Sequence, residues 1–106
     1  MKTDLRKYLP LTESTFYTML TLIEPEHGYA IMQKVALSSR GTVKLGPGTL
    51  YGILAMLEKE QLIVKVKEEE RRKSYQLTSR GKEVLAMQID RLEIMTANGR
   101  SVKSRL

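Results

Sequence analysis

The seven residues Leu45-Gly46-Pro47-Gly48-Thr49-Leu50-Tyr51 constrain this chain more than any other stretch of it. Proline suits the first position of a helix, where a missing N–H costs nothing and a fixed φ is already helical. With Pro47 there, Gly46 falls at the cap, and Gly48 and Thr49 fall in the first turn. That turn carries unpaired N–H donors and the positive end of the helix dipole. Without a Cβ at Gly48, a phosphate or a base edge can come close to the backbone. Downstream, Leu50, Ile53, Leu54 and Leu57 keep the one-sided spacing of a helix packed on a core. Thr49, Tyr51 and Gly52 then stay at the exposed N-terminal end, the arrangement that a groove-entering helix needs. The plainer reading of the same residues is an ordinary junction between a loop and a helix.

Residues 1–10 read as a polar, basic arm closed by Pro10. Thr12 is a predicted N-cap with Glu13 in the favourable first turn, and Phe16, Met19, Leu20, Leu22 and Ile23 keep helical spacing until Pro25 stops the helix. Glu26-His27-Gly28 reads as a tight turn, Tyr29 to Ser38 as a second helix, and Val43-Lys44-Leu45 as an extended link into the third. After that helix the period changes. Leu62 to Lys67 is β-branched and Lys73 to Leu77 alternates, with Tyr75 and Leu77 on one side. Lys65 and Lys67 are expected to share one face of the first strand, and Glu68 to Arg72 to form a charged loop between the two strands. Thr78 is a predicted N-cap for a last helix from Ser79 to about Ala97, with Asn98-Gly99 as its stop signal and a flexible basic tail over residues 100–106.

Three short helices, a two-stranded hairpin and a final helix make a mainly α (α+β) winged helix-turn-helix with one added C-terminal helix. The expected organisation is an arm over 1–10, the winged domain over 11–77, a dimerisation helix over 78–99 and the tail over 100–106.

Charge and composition narrow the function. Eighteen Lys and Arg against 12 Asp and Glu give a net charge of +6, which favours a polyanionic partner. The absence of cysteine removes disulfides, thiol nucleophiles and thiolate metal sites. His27 is the only histidine and has no clustered carboxylates beside it, so neither a metal site nor a cofactor is expected. No nucleophile motif or phosphate-binding loop of the P-loop type is present, and an enzyme is not expected. Neither a signal-peptide h-region nor an apolar run of the roughly 18 residues needed for a membrane span occurs, so the expected location is cytoplasmic.

Four segments stand in a characteristic order: Leu11-Thr12-Glu13, His27-Gly28-Tyr29-Ala30-Ile31, Leu45 to Tyr51, and Arg71-Arg72-Lys73-Ser74-Tyr75-Gln76-Leu77-Thr78. Together they resemble the PadR family of bacterial transcriptional regulators, over roughly residues 9–85. The resemblance implies a dimeric winged-helix DNA-binding protein, usually a repressor, joined mainly through its C-terminal helix. The chain departs from the family pattern in two places. Ala55 and Met56 stand where members often carry a basic residue in the third helix, which shifts charge to the wing and helix 2. Gln61 stands where members often have glycine, and costs roughly 1 kcal/mol if the left-handed helix end is kept.

These readings give a set of expected contacts. Gly48, Thr49 and Tyr51 would meet DNA at the open helix end, the two hydroxyls reaching a base or a phosphate. Arg71, Arg72 and Lys73, the densest basic cluster, would hold the backbone or minor groove from the wing, unless Glu68, Glu69 and Glu70 pair with them. Lys34 and Lys44 are secondary candidates. On the last helix, Leu85, Ile89 and Leu92 form a stripe that Val84, Met87 and Ile94 broaden, more apolar surface than one small domain can cover. Leu85, Ile89, Leu92 and Met95 are therefore the expected dimer interface. Adaptable Met87 and Met95 could also line a pocket for a small-molecule effector between subunits. The expected partner is double-stranded DNA bearing a pseudo-palindromic operator. The alternative class is a winged-helix protein-interaction scaffold, which has no need of basic wing residues beside an open helix end.

Overall fold

Threonine hydroxyls start two of the helices, and a Gly-Pro pair starts the third. The computed structural model describes residues 4–106. Helix α1 (Glu13–Thr21) opens where Thr12 Oγ1 accepts from Thr15 N, and α4 (Ser79–Lys103) where Thr78 Oγ1 accepts from Gly81 N. Helix α3 (Pro47–Lys59) begins at an extended Gly46 with proline in its first turn. Between α1 and α3 lie a short strand β1 (Glu26–His27) and helix α2 (Gly28–Ser38). The wing is β2 (Ile63–Glu69) and β3 (Arg72–Leu77). Met19, Ile31, Val35, Leu50, Leu57, Leu62, Ile63 and Val84 are fully buried and join α1, α2, α3, the wing base and the start of α4 in one core. This is a winged helix-turn-helix with an added C-terminal helix.

Several local expectations are corrected. Helix α1 ends at Thr21 rather than at Pro25 because the Leu22 carbonyl is taken by Leu77 N at 2.8 Å. Glu26 and His27 are not a free turn. They pair antiparallel with Tyr75 and Ser74, so the sheet has three strands in the order β1-β3-β2. The basic arm is docked over its described part (its first three residues lie outside the described ones). Leu5–Tyr8 form a 3-10 turn capped by Asp4, Leu5 is buried, and Leu11 N donates to the buried Gln88 side chain at 3.0 Å.

The wing differs from a five-residue charged loop. Glu68, Glu69 and Arg72 continue the strands, and only Glu70 and Arg71 turn the chain, at φ of 45° and 76°. Two successive left-handed residues match the twist of a hairpin, although neither is the Gly or Asn that adopts this geometry cheaply. The register steps from Lys65↔Tyr75 to Lys67↔Ser74, leaving Val66 as a bulge. Cross-strand partners share a face, so Lys65 and Lys67 lie on opposite faces rather than on one.

Helix α4 passes through Asn98-Gly99 to Lys103, so most of the expected tail is helical. Each of the two residues costs only about 1 kcal/mol or less inside a helix, and neither is followed by proline. Gln61 has φ of 60°, so the left-handed end of α3 is kept without glycine. Among the described residues no helix is long and apolar enough to cross a membrane.

Candidate nucleic-acid interface

The α3 start is as open as its sequence implies. No side chain caps its first turn, and Gly46, Pro47, Gly48 and Thr49 are all exposed. A Cβ built on Gly48 or Gly52 would meet nothing within 4 Å. The outward face continues through Ala55 and Met56, so it stays small and uncharged until Glu58 and Lys59. The buried residues Leu50, Leu54 and Leu57 hold the opposite face on the core.

Tyr51 is 59% exposed and leans towards the start of α2, where its hydroxyl lies 3.3 Å from the position of a Cβ on Gly28. Glycine at 28 makes room for that phenol. Beside it, Tyr29 is 64% exposed in the first turn of α2. Together with His27 and the wing residues Arg71, Arg72, Lys73 and Tyr75, these groups line a cleft of about 340 Å3. No carboxylate is among the lining residues. Burial, more than the neighbouring Glu58, pushes the Tyr75 phenol up, so it remains an O–H donor at neutral pH.

Two of the wing glutamates pair with lysines of their own strand. Glu68 pairs with Lys65 at 3.4 Å and Glu69 with Lys67 at 3.1 Å. Among the described residues, no ion pair engages Arg71, Arg72 or Lys73. The strand pair β1–β3 brings these cations to the starts of α2 and α3.

Lys34 is paired with Glu26, whose carboxyl it holds below the usual glutamate range; the backbone N–H of His27 also donates to that carboxyl. Its charge is therefore partly spent inside the protein. Lys44 is exposed between buried Val43 and Leu45 on the link before α3. Leu85 belongs to the core of its own domain at 7% exposure, which removes it from any surface stripe. Ile89 and Leu92 are half-buried, whereas Ile94 and Met95 are more than 60% exposed. Phe16, Ile89, Leu92, Thr96 and Ala97 line an apolar groove of about 360 Å3 between α1 and α4, with Glu93 and Arg100 also at its walls. Tyr29 and His27 are not among the binding residues that the sequence suggests. Only the pairing of β1 with the wing brings them to the cleft, although a glycine opens α2 as one caps α3.

Known proteins share this architecture. A PadR-like transcription factor from Bacteroides fragilis is 26% identical and superposes with a TM-score of 0.68 over 83% of this chain and 87% of its own. A transcriptional regulator from Clostridium thermocellum, 23% identical, gives 0.69 over 92% and 94%. An uncharacterized 37.1 kDa protein in transposon TN4556 of Streptomyces fradiae is 44% identical over 61 residues, which cover 58% of this chain but 17% of that protein. The transcriptional regulator PadR-like family matches residues 18–87, from α1 through the wing into α4. The chain belongs to the PadR-like family and is a transcriptional regulator rather than an enzyme.

Proposed function

We propose that the chain is a sequence-specific, homodimeric repressor that binds a pseudo-palindromic operator. The observation that carries this reading is the cleft, where three cations with no ion pair among the described residues and three tyrosines surround the starts of α2 and α3 with no carboxylate in the lining. In this reading α3 enters the major groove through Gly48, Thr49 and Tyr51. The uncharged face of Gly52, Ala55 and Met56 lies against thymine methyl groups rather than phosphates. Arg71, Arg72 and Lys73 neutralise phosphates from the wing, Tyr29 adds a hydroxyl, and Lys44 sits at the edge. Lys34, held by Glu26, contributes least.

Dimerisation is supported by the outer half of α4. Ile94 and Met95 are exposed beside the α1–α4 groove, and a second copy of α4 would cover both. Ile89, Leu92 and Met95 then form the interface and Leu85 supports it from within. Two-fold symmetry sets the two α3 helices about one turn of DNA apart, about 34–36 Å. Repression follows if the dimer covers promoter DNA in the cytoplasm. An apolar effector seated near Met87 and the α1–α4 groove would tune it.

The test is binding of the full chain to its own promoter region and to random DNA of equal length at moderate salt. Preference for the promoter is expected, with affinity falling steeply as salt rises. Equal binding to both overturns sequence-specific recognition, and a monomer by light scattering overturns the dimer.

A further inference from the structure

The far end of α3 is fixed to the start of α4 by a direct joint. Three consecutive backbone carbonyls follow α3, and each accepts a hydrogen bond from the turn that opens α4. Arg80 Nε donates to Glu60 O at 3.2 Å, Thr78 Oγ1 to Gln61 O at 2.7 Å, and Thr78 N to Leu62 O at 3.0 Å. The two backbones are closer than a side chain permits, because a Cβ on Gly81 would lie 2.0 Å from the Leu62 carbonyl oxygen. Tyr8 closes the joint from the N-terminal segment. Its hydroxyl donates to Glu60 Oε1 at 2.8 Å and accepts from Arg80 Nη2 at 2.8 Å, with the guanidinium 5.5 Å from the ring centroid. A satisfied, partly buried network of this kind holds one geometry.

We infer that this joint sets the spacing between operator half-sites. The inference rests on reading α3 as the groove helix and α4 as the dimer helix. In a two-fold dimer joined through α4, the angle between α3 and α4 within each protomer fixes where each α3 meets the DNA. Tyr8, Thr78, Arg80 and Gly81 are positioning residues, and none of them lines the cleft. One base pair moves a half-site by about 3.4 Å and about a tenth of a helical turn. A joint pinned at three successive carbonyls does not yield by that amount.

The test uses the full chain, as wild type and as Thr78→Ala/Arg80→Met, which removes two of the three donors to these carbonyls and the Arg80 bond to Tyr8. The probes are operator duplexes selected from random DNA by the wild type, rebuilt with the central spacer one or two base pairs longer or shorter, and an isolated half-site. Wild type is expected to lose about tenfold or more in affinity per base pair, as the second half-site falls out of reach. The double variant is expected to match wild type on the isolated half-site and to keep affinity for shifted spacers within about threefold of its best value. A double variant that is thermally weaker yet keeps the wild-type spacing profile overturns the inference, because its effect is then on stability alone. A wild type that binds the operator specifically as a dimer with a flat spacing profile also overturns it, and leaves the reading of α3 and α4 intact. A monomeric wild type removes that reading instead, and the inference with it.

Discussion

At its N-terminal end α3 leaves its first turn without a side-chain cap and exposes Gly48 and Thr49, while at its C-terminal end Glu60, Gln61 and Leu62 all give their carbonyls to the start of α4. The same residue type marks the contrast. A Cβ at Gly48 would meet nothing within 4 Å, whereas one at Gly81 would strike the Leu62 carbonyl. One glycine leaves room for something outside the molecule and the other lets two parts of it touch. The helix therefore has a free end that can make contacts and a held end that decides where those contacts fall.

Substitutions at the two ends separate these roles. Gly81→Ala gives the largest expected change, a loss of about 3 kcal/mol or more in urea unfolding, since backbone must move to admit the methyl group. If it unfolds like wild type, the close approach at the held end is wrong. Next comes the wing beside the free end. Arg71→Ala/Arg72→Ala is expected to weaken DNA binding about tenfold to a hundredfold and to flatten the slope of affinity against salt by about two counterions. Stability should stay within about 0.5 kcal/mol, because both residues are exposed and free of ion pairs among the described residues. Unchanged salt dependence would remove the two arginines from the interface. Thr78→Ala removes a cap and the donor to Gln61 O, and thermal unfolding should show a loss of about 1–2 kcal/mol without a change in sequence preference. The smallest effect is expected at Gly48→Ala, which should gain about 0.5–1 kcal/mol in stability as a helical glycine is removed. The same variant should lose roughly 1 kcal/mol in operator binding, about fivefold, as the backbone is held off the DNA. A stabilised variant that binds as well as wild type would mean that nothing approaches that turn.

What the sequence revealed depended on how locally each feature is decided. Thr12, Pro47 and Thr78 start helices through contacts within three or four residues, and those starts were legible. The wing was legible as a change of period, but its turn was not. Glu70 and Arg71 carry positive φ without the glycine or asparagine that usually announces it, so the charged run looked like a loop. Strand β1 could not be seen, because two residues become a strand only when Tyr75 and Ser74 arrive from far along the chain. The docked arm failed in the same way: Tyr8 owes its place to Glu60 and Arg80, neither near it in sequence. For the candidate site, residue types read well and neutralisation read poorly. Lys34 reads as free in sequence, yet β1 places Glu26 beside it; the wing arginines read as DNA contacts that the adjacent glutamates could pair, and Lys65 and Lys67 take two of those three glutamates instead. Leu85 and Ile94 share an apolar helix, and only packing tells the inner one from the outer.

The bulge at Val66 has a consequence for solubility. Strand β2 lies at the edge of the sheet, with one side of its seven-residue backbone unpaired. Such an edge invites a second copy to add a strand, and a long flat one seeds aggregation. Here the extra residue breaks the regular ladder, and lysines 65 and 67 project to opposite faces on either side of it. A like strand approaching from another molecule would meet a kink and two exposed ion pairs, Lys65–Glu68 and Lys67–Glu69, that it would have to desolvate. The sheet edge is thereby protected from strand addition, and growth of open-ended assemblies through the wing is disfavoured.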